Sequence, residues 1–405
     1  MLKIADPYMN LTPEFCADPY PTLARFRQEA PVWWSEKGKY WLVTRYKESL
    51  AILQSLDFEK RLDRWKEISP LARVLPPVQK LLKSRRQWML NMDPPDHTRI
   101  RSLVNKAFTP STVAGLAPHI ESIANSLIDS ALQKGEMDVI SDFAYPLPVT
   151  VIAQMLGVPP EDRDLFREFS YLLTATVEVT PSMRMVNGGN KATDGIIDYL
   201  RPLVAERRKN PKNDLISSLI AAEEQGKHLS ESELLQNCVL LLVAGHETTV
   251  NLIGNGVLDM MRFPDQLELI QRDPGLITKM VNETLRFDSP VQLVRRLAGK
   301  DCSLAGQNIR KGDMISIMVG AANRDPEVYE RPDVFDINRE QKRNLAFGQG
   351  IHHCIGSSLA ETEARIAFSA LFKRLPNTRL KAPDKLSWRL SPAFRGVTTL
   401  PVVFR

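Results

Sequence analysis

The sequence predicts a mainly α-helical protein with small β-sheets, and three features carry that prediction. From about Tyr46 to Lys373 most segments place apolar residues at helical spacing, broken by proline-containing turns such as DPPD, GVPPED and NRDP. Near the N-terminus, PVWWSEKGKYWLVTRY alternates apolar and polar residues around Gly38, the pattern of a β-hairpin. The tail, RLSPAFRGVTTLPVVFR, returns to strand-like composition, so both ends of the chain are expected to supply the sheets. Neither an internal repeat nor a low-complexity linker breaks the 405 residues, and a single domain spanning 1–405 is expected.

Composition narrows the function classes. With 43% hydrophobic and 25% charged residues the chain can fill a large core, which excludes intrinsic disorder. The net charge of +5 is small for this length and arises from mixed-sign segments, so a nucleic-acid partner is not expected. Cys16, Cys238, Cys302 and Cys354 lie far apart with no CxxC pair, as in a reducing compartment rather than a disulfide framework. MLKIADPYMNLTPEF has no apolar signal core, and the apolar stretch around VLLLVAG is too short to cross a bilayer. The expectation is a cytoplasmic, unanchored monomer.

Two helices matter for function. The first opens at LSESEL, where Ser230 and Glu233 form a capping box and Leu229 and Leu234 can staple across it. It meets no proline until Pro264. Roughly 32 residues at 1.5 Å each give a long rod, apolar all round in its middle and therefore buried. The second starts at Asp273-Pro274 and carries NETLRF.

AGHETT, Ala244 to Thr249, interrupts the apolar middle of the first helix. Gly245 costs about 1 kcal/mol of helix stability relative to Ala, and a Thr hydroxyl can turn onto the carbonyl four residues back. One polar residue here reads as a tolerated helix contact. Gly, Glu and two Thr together read as a groove that admits a small ligand and supplies protons. A zinc-protease HExxH is excluded, because Val250 stands where the second His belongs. In NETLRF, Glu283 and Arg286 share a helix face; alone, the spacing suits a surface ion pair. In DPPDHTRIR, His97 and Arg101 point the same way, which also suits a solvated basic face.

FGQGIHHCIG surrounds Cys354 with glycines. A lone cysteine is more often a small buried hydrophobe than a ligand. Here, however, Gly348, Gly350 and Gly356 permit close approach of a flat ligand, and SSLAETEARIAFSALFKRL starts a helix immediately after. A helix N-terminus favours thiolate. Adjacent His352, His353 and Cys354 cannot converge on zinc, and a phosphate-binding GxGxxG is absent because position 353 is His. One thiolate fits a metal that brings its other ligands with it, as haem does.

These residues resemble the cytochrome P450 family over essentially the whole chain. F347-x-x-G350-x-x-x-C354-x-G356 is similar to its haem-binding signature, AGHETT to its oxygen-activating helix motif, and E283-x-x-R286 to the helix motif that ties to a downstream Arg, here Arg339. The resemblance implies the P450 fold, a long central helix over buried haem b, and Cys354 as the axial thiolate. It implies His97, Arg101, Arg296 and His352 as partners of the haem propionates, Phe347 and Gly348 against the sulfur side, and no role for His353. Glu247 and Thr248 match the acid–alcohol pair that delivers protons, with Ala244 and Gly245 leaving room for O2. The reaction implied is insertion of one oxygen atom of O2 into a hydrophobic small molecule, a hydroxylation of a polyketide- or macrolide-, steroid-, terpenoid- or fatty-acyl-like substrate.

Electrons are expected from a separate ferredoxin or flavodoxin with its reductase, since the chain carries no such domain; Lys342 and Arg343 are candidates to steer an acidic partner, or ordinary solvated charges. By analogy the pocket draws on about residues 60–90 (Leu62, Trp65, Leu75, Leu82), 168–190, 292–297 and the loop near Phe394. Two alternatives stand beside this reading: a haem protein that senses a ligand without turnover, and a P450 that couples or isomerises.

Overall fold

The computed structural model describes residues 6–9, 11–61, 74–177, 182–223 and 229–404. They fall into two compact units. The first comprises Met1–Glu59, Ala117–Tyr145 and Thr248–Arg405; the second comprises Lys60–Leu116 and Pro146–Glu247. The helices that bear on function are, in chain order, α1 (Tyr46–Gln54), α2 (Asp96–Val104), α3 (Pro146–Met155), α4 (Arg163–Thr174), α5 (Glu231–Arg262), α6 (Ile277–Phe287) and α7 (Ser357–Arg374).

All the described strands lie in the first unit. The predicted hairpin forms from β1 (Val32–Ser35) and β2 (Tyr40–Val43), with Trp34 opposite Trp41. Its turn takes a left-handed residue at Lys39, φ +56°, rather than at Gly38. The hairpin does not stand alone. β3 (Phe58–Glu59), β5 (Leu293–Ala298) and β8 (Met314–Met318) extend it to a five-stranded sheet in the order β1-β2-β8-β5-β3. β8 runs parallel to β2 and antiparallel to β5. A second sheet sets β10 (Pro401–Val403), from the tail, between β4 (Glu136–Asp138) and β9 (Arg379–Leu380), and β6 (Cys302–Leu304) pairs with β7 (Gln307–Ile309). The sheets thus recruit strands from the interior of the chain as well as its ends. MISIM of β8 is buried at every position, so it shows no alternation to distinguish it from a helix segment. Val43, Ile52, Leu53, Ile315, Ile317, Val319 and Leu345 form the core beneath this sheet, fastening α1 to it.

α5 has the predicted length of 32 residues. Its capping box is closed: Ser230 N–H donates to Glu233 Oε2 at 2.8 Å, and Glu233 N–H donates to Ser230 Oγ at 3.2 Å. Glu233 also accepts from Arg99 Nη2 at 2.5 Å, which ties α2 to the start of α5. The predicted cap at Asp273 accepts from Gly275 N–H at 2.9 Å and starts a short 3-10 turn, Pro274–Leu276, that leads into α6. Among the described residues, no helix is long and apolar enough to cross a membrane.

Candidate functional site

The cysteine loop belongs to the first unit. Cys354 N–H donates to the Phe347 carbonyl at 2.8 Å, and His353 N–H donates to the Gly350 carbonyl at 3.1 Å. Gly348 and Gly350 have φ of +67° and +71°, values that side chains resist. A Cβ on Gly350 would stand 2.5 Å from the Leu53 carbonyl oxygen and 3.1 Å from Gln54 Cα, so the loop rests on the main chain at the end of α1. Gly356 is the N-cap residue of α7, and a Cβ there would meet nothing within 4 Å. The exposed Cys354 thiol therefore sits just ahead of a helix N-terminus, whose N–H groups favour thiolate. The Phe347 ring lies 6.4 Å from that of His353, and His352 closes the short turn Gly350–His352. Arg296 is buried in β5, its Nη1 donating to the Arg295 carbonyl at 2.9 Å.

In the same unit Glu283 and Arg286 of α6 form a buried pair rather than a surface one. Arg286 Nε and Nη2 donate to Glu283 Oε2 and Oε1 at 2.8 and 2.7 Å. Arg339 Nε donates to the same Oε1 at 3.2 Å. The remaining guanidinium donors satisfy carbonyls: Arg286 reaches Asn323, Pro332 and Val334, and Arg339 reaches Glu330, Arg331 and Val334. This knot pins the segment 330–339 to α6.

In the second unit, α2 carries His97 and Arg101 one turn apart. His97 is buried; burial, with the charge of Arg101, pushes its imidazole down to about 4 against the pull of Asp93.

The run on α5 has a definite pattern. Among the described residues from Leu234 to Met260, Ala244, Gly245 and Thr248 alone escape burial. They fall at i, i+1 and i+4, one strip of a helix otherwise enclosed. Gly245 has a packing duty too: a Cβ there would come 3.2 Å from Ile152 Cγ1 of α3. Glu247, one residue before Thr248, is buried.

Two polar side chains escaped the sequence reading. His246 is fully buried, with Ser170 Oγ of α4 2.9 Å from its Nδ1. Glu363 of α7 is buried beside the Thr249 hydroxyl, and burial pushes its carboxyl up to about 8. Of the expected pocket residues, Leu62 and Trp65 lie outside the described residues. Leu75 and Leu82 are half-buried, and Phe394 bridges to Val291. Lys342 and Arg343 are exposed.

Among the described residues no three His, Cys, Asp or Glu side chains gather to hold a metal ion on their own. A single thiol on a side-chain-poor turn, with open space at Gly356, instead suits a metal that brings its in-plane ligands. The residues present fit haem.

Comparison with known proteins agrees. The cytochrome P450 family model matches residues 25–273 and 275–385. The chain is 40% identical over 395 residues to the biotin biosynthesis cytochrome P450 of Bacillus subtilis (strain 168), covering 96% of this chain and 97% of the relative. It is 40% identical over 400 residues to the polyketide biosynthesis cytochrome P450 PksS of the same organism, covering 96% of each. It is similar to the solved structure of P450BioI in complex with hexadec-9Z-enoic acid ligated acyl carrier protein, with a TM-score of 0.90 at 39% identity, covering 97% of this chain and 99% of that one. With a match of this extent and relatives of this identity, the chain belongs to the cytochrome P450 family and is a haem-thiolate monooxygenase that uses O2.

Proposed function

We propose that Cys354 is the axial thiolate, that Glu247 and Thr248 move protons to the oxygen side, and that the substrate is an apolar small molecule. Support for the second assignment comes from the strip on α5: three small or hydroxylic residues accessible in a buried helix, with a buried carboxyl next in sequence. When bound, haem supplies the iron that takes up O2 and, through its thiolate ligand, the electron push that favours O–O cleavage. The chain supplies the rest. Gly348 and Gly350 keep side chains clear of the sulfur, and Phe347 shields it from water. Arg101 and Arg296 neutralise the propionates, carboxylates that are costly to bury unpaired, and His97 and His352 donate hydrogen bonds to them. Thr248 holds a proton at its hydroxyl and Glu247 resupplies it. Ala244 and Gly245 leave room for a diatomic ligand beside the helix. Glu283, Arg286 and Arg339 are structural, and the chain works as one domain.

For the substrate, the names of the relatives point to acyl and polyketide chains, and the half-buried Leu75, Leu82 and Phe394 are apolar, as such a chain requires. Electrons come from an acidic ferredoxin or flavodoxin, with the exposed Lys342 and Arg343 steering its approach.

Cys354→His tests the ligand assignment. The variant is expected to keep haem and lose the red-shifted carbon monoxide band of a thiolate P450; an unchanged band would remove Cys354 as ligand. In the same series Thr248→Ala is expected to consume reductant while releasing peroxide, and full coupling of electrons to product would take Thr248 out of the proton path.

A further inference from the structure

Arg85, half-buried at the end of the helix Pro76–Arg85, carries a charge that no carboxylate among the described residues answers. Its Nη2 donates to the carbonyl oxygen and to the hydroxyl of Thr176, each at 2.5 Å. Thr176 is fully buried just beyond α4, so the guanidinium joins the two expected pocket segments, 60–90 and 168–190. The same group lies over the buried Trp88 ring, 5.6 Å from its centroid. Both contacts to Thr176 run through one nitrogen. Nε is sealed from water without an acceptor, and among the described residues Nη1 has none either. Arg207, in the same unit, is the opposite case, since it meets both Asp214 and Glu206. Burial pushes the Arg85 guanidinium down to about 10, which still leaves it a cation at neutral pH. A neutral donor would serve to clasp Thr176; a desolvated cation with idle donors is costly until an anion reaches it.

The segment around Arg85 is moored at a definite height on α5. Ser84 Oγ and Trp88 Nε1 donate to Gln236 Oε1 at 2.6 and 3.2 Å, and Met89 N–H donates to Asn237 Oδ1 at 2.9 Å. Ala244 and Gly245 stand two turns further along the same helix, about 12 Å on at 1.5 Å per residue. We propose that Arg85 determines specificity by binding the carboxylate of a chain-like apolar acid whose body runs along α5 toward that strip. The preferred substrate is then a free acid, and oxygen enters well away from the carboxyl carbon. This rests on the reading of the pocket as apolar and of the strip as the oxygen side, and it adds what holds the end of the substrate remote from the reaction. Guanidinium and carboxylate make a charge-assisted pair, stronger where water is excluded.

The test titrates haem-loaded enzyme with myristate and with methyl myristate, reading Kd from the haem absorbance shift and from calorimetry. The acid-over-ester preference of the wild type is expected to fall about tenfold in Arg85→Gln, the size of one charge-assisted hydrogen bond. Arg85→Lys keeps the charge without the fork and should fall between the two; it carries the test if Arg85→Gln does not fold. Thr176→Val removes the hydroxyl partner but not the cation, and should leave the preference at its wild-type value. With electrons supplied, oxygen should enter myristate several carbons from the carboxyl group. An unchanged preference in Arg85→Gln, an equal loss in Thr176→Val, or oxygen placed next to the carboxyl carbon would overturn the proposal and leave Arg85 a clasp on Thr176. Failure of the underlying reading looks different: the wild type would then bind neither ligand, and the proposal would fall with it.

Discussion

Glu283 and Glu363 are both sunk in the first unit, at 2% and 1% exposure, yet their surroundings differ in kind. Glu283 meets two guanidinium groups and the Asp336 N–H, at 2.7 to 3.2 Å. Glu363 meets the Thr249 hydroxyl, and its Oε2 has no hydrogen-bond partner among the described residues. The first is an ion pair with its donors accounted for. The second keeps a proton at neutral pH, because burial pushes it up to about 8. Depth alone therefore does not decide what a buried carboxyl is; the charge placed against it does.

The largest test of that contrast is Glu283→Ala. It strands Arg286 and Arg339, both low in exposure, and is expected to cost roughly 3–5 kcal/mol, as breaking buried pairs does. Denaturant midpoints measure it, and a loss under about 1 kcal/mol would erase the distinction. Next in size is Arg339→Lys. A lysine keeps the charge but not the fork that reaches Glu283 and the carbonyls of Arg331 and Val334 at once. About 1–2 kcal/mol is expected, and a fully stable Lys variant would show that the charge alone suffices.

The effect sharpest in its pH dependence, and smallest in acid, belongs to Glu363→Gln. The amide copies the protonated carboxyl, so little changes below about pH 4.5, where folded and unfolded wild type both keep the proton. The unfolded chain releases this proton near 4.5, whereas the folded chain holds it to about 8. Between those values the native state binds more protons, so wild-type stability falls as pH rises, by about 1.4 kcal/mol per unit from this group. The Gln variant is expected to lack that component and to become the more stable of the two as pH climbs, levelling above 8. Parallel stability curves for the two proteins would mean that Glu363 does not hold its proton to about 8, as if a positive charge stood beside it.

What could be read from the sequence was local. The capping box at Ser230 and Glu233 lies within one turn, and the hairpin announces itself by alternation over residues 31–46. The Cys354 turn spends its glycines within a few positions of the sulfur. What could not be read depends on remote partners. Ser170 and His246 are 76 residues apart, and neither flank marks the pairing. Glu363 sits in AETEAR, where its neighbours Glu361 and Arg365 make it look like one more charge on a solvated helix face; that it turns inward toward Thr249 is a tertiary fact. β5 and β8 were hidden for a different reason, since strands with few exposed positions have lost the period that identifies them.

One further consequence attaches to Gly350. Because the turn bearing Cys354 abuts peptide atoms of Leu53 and Gln54, its seat depends on main chain that is common to every residue type, and side chains on α1 can change without moving it. Lengthening or shortening residues 46–54 by a single position is another matter, for it would shift the sill on which the sulfur's carrier is seated.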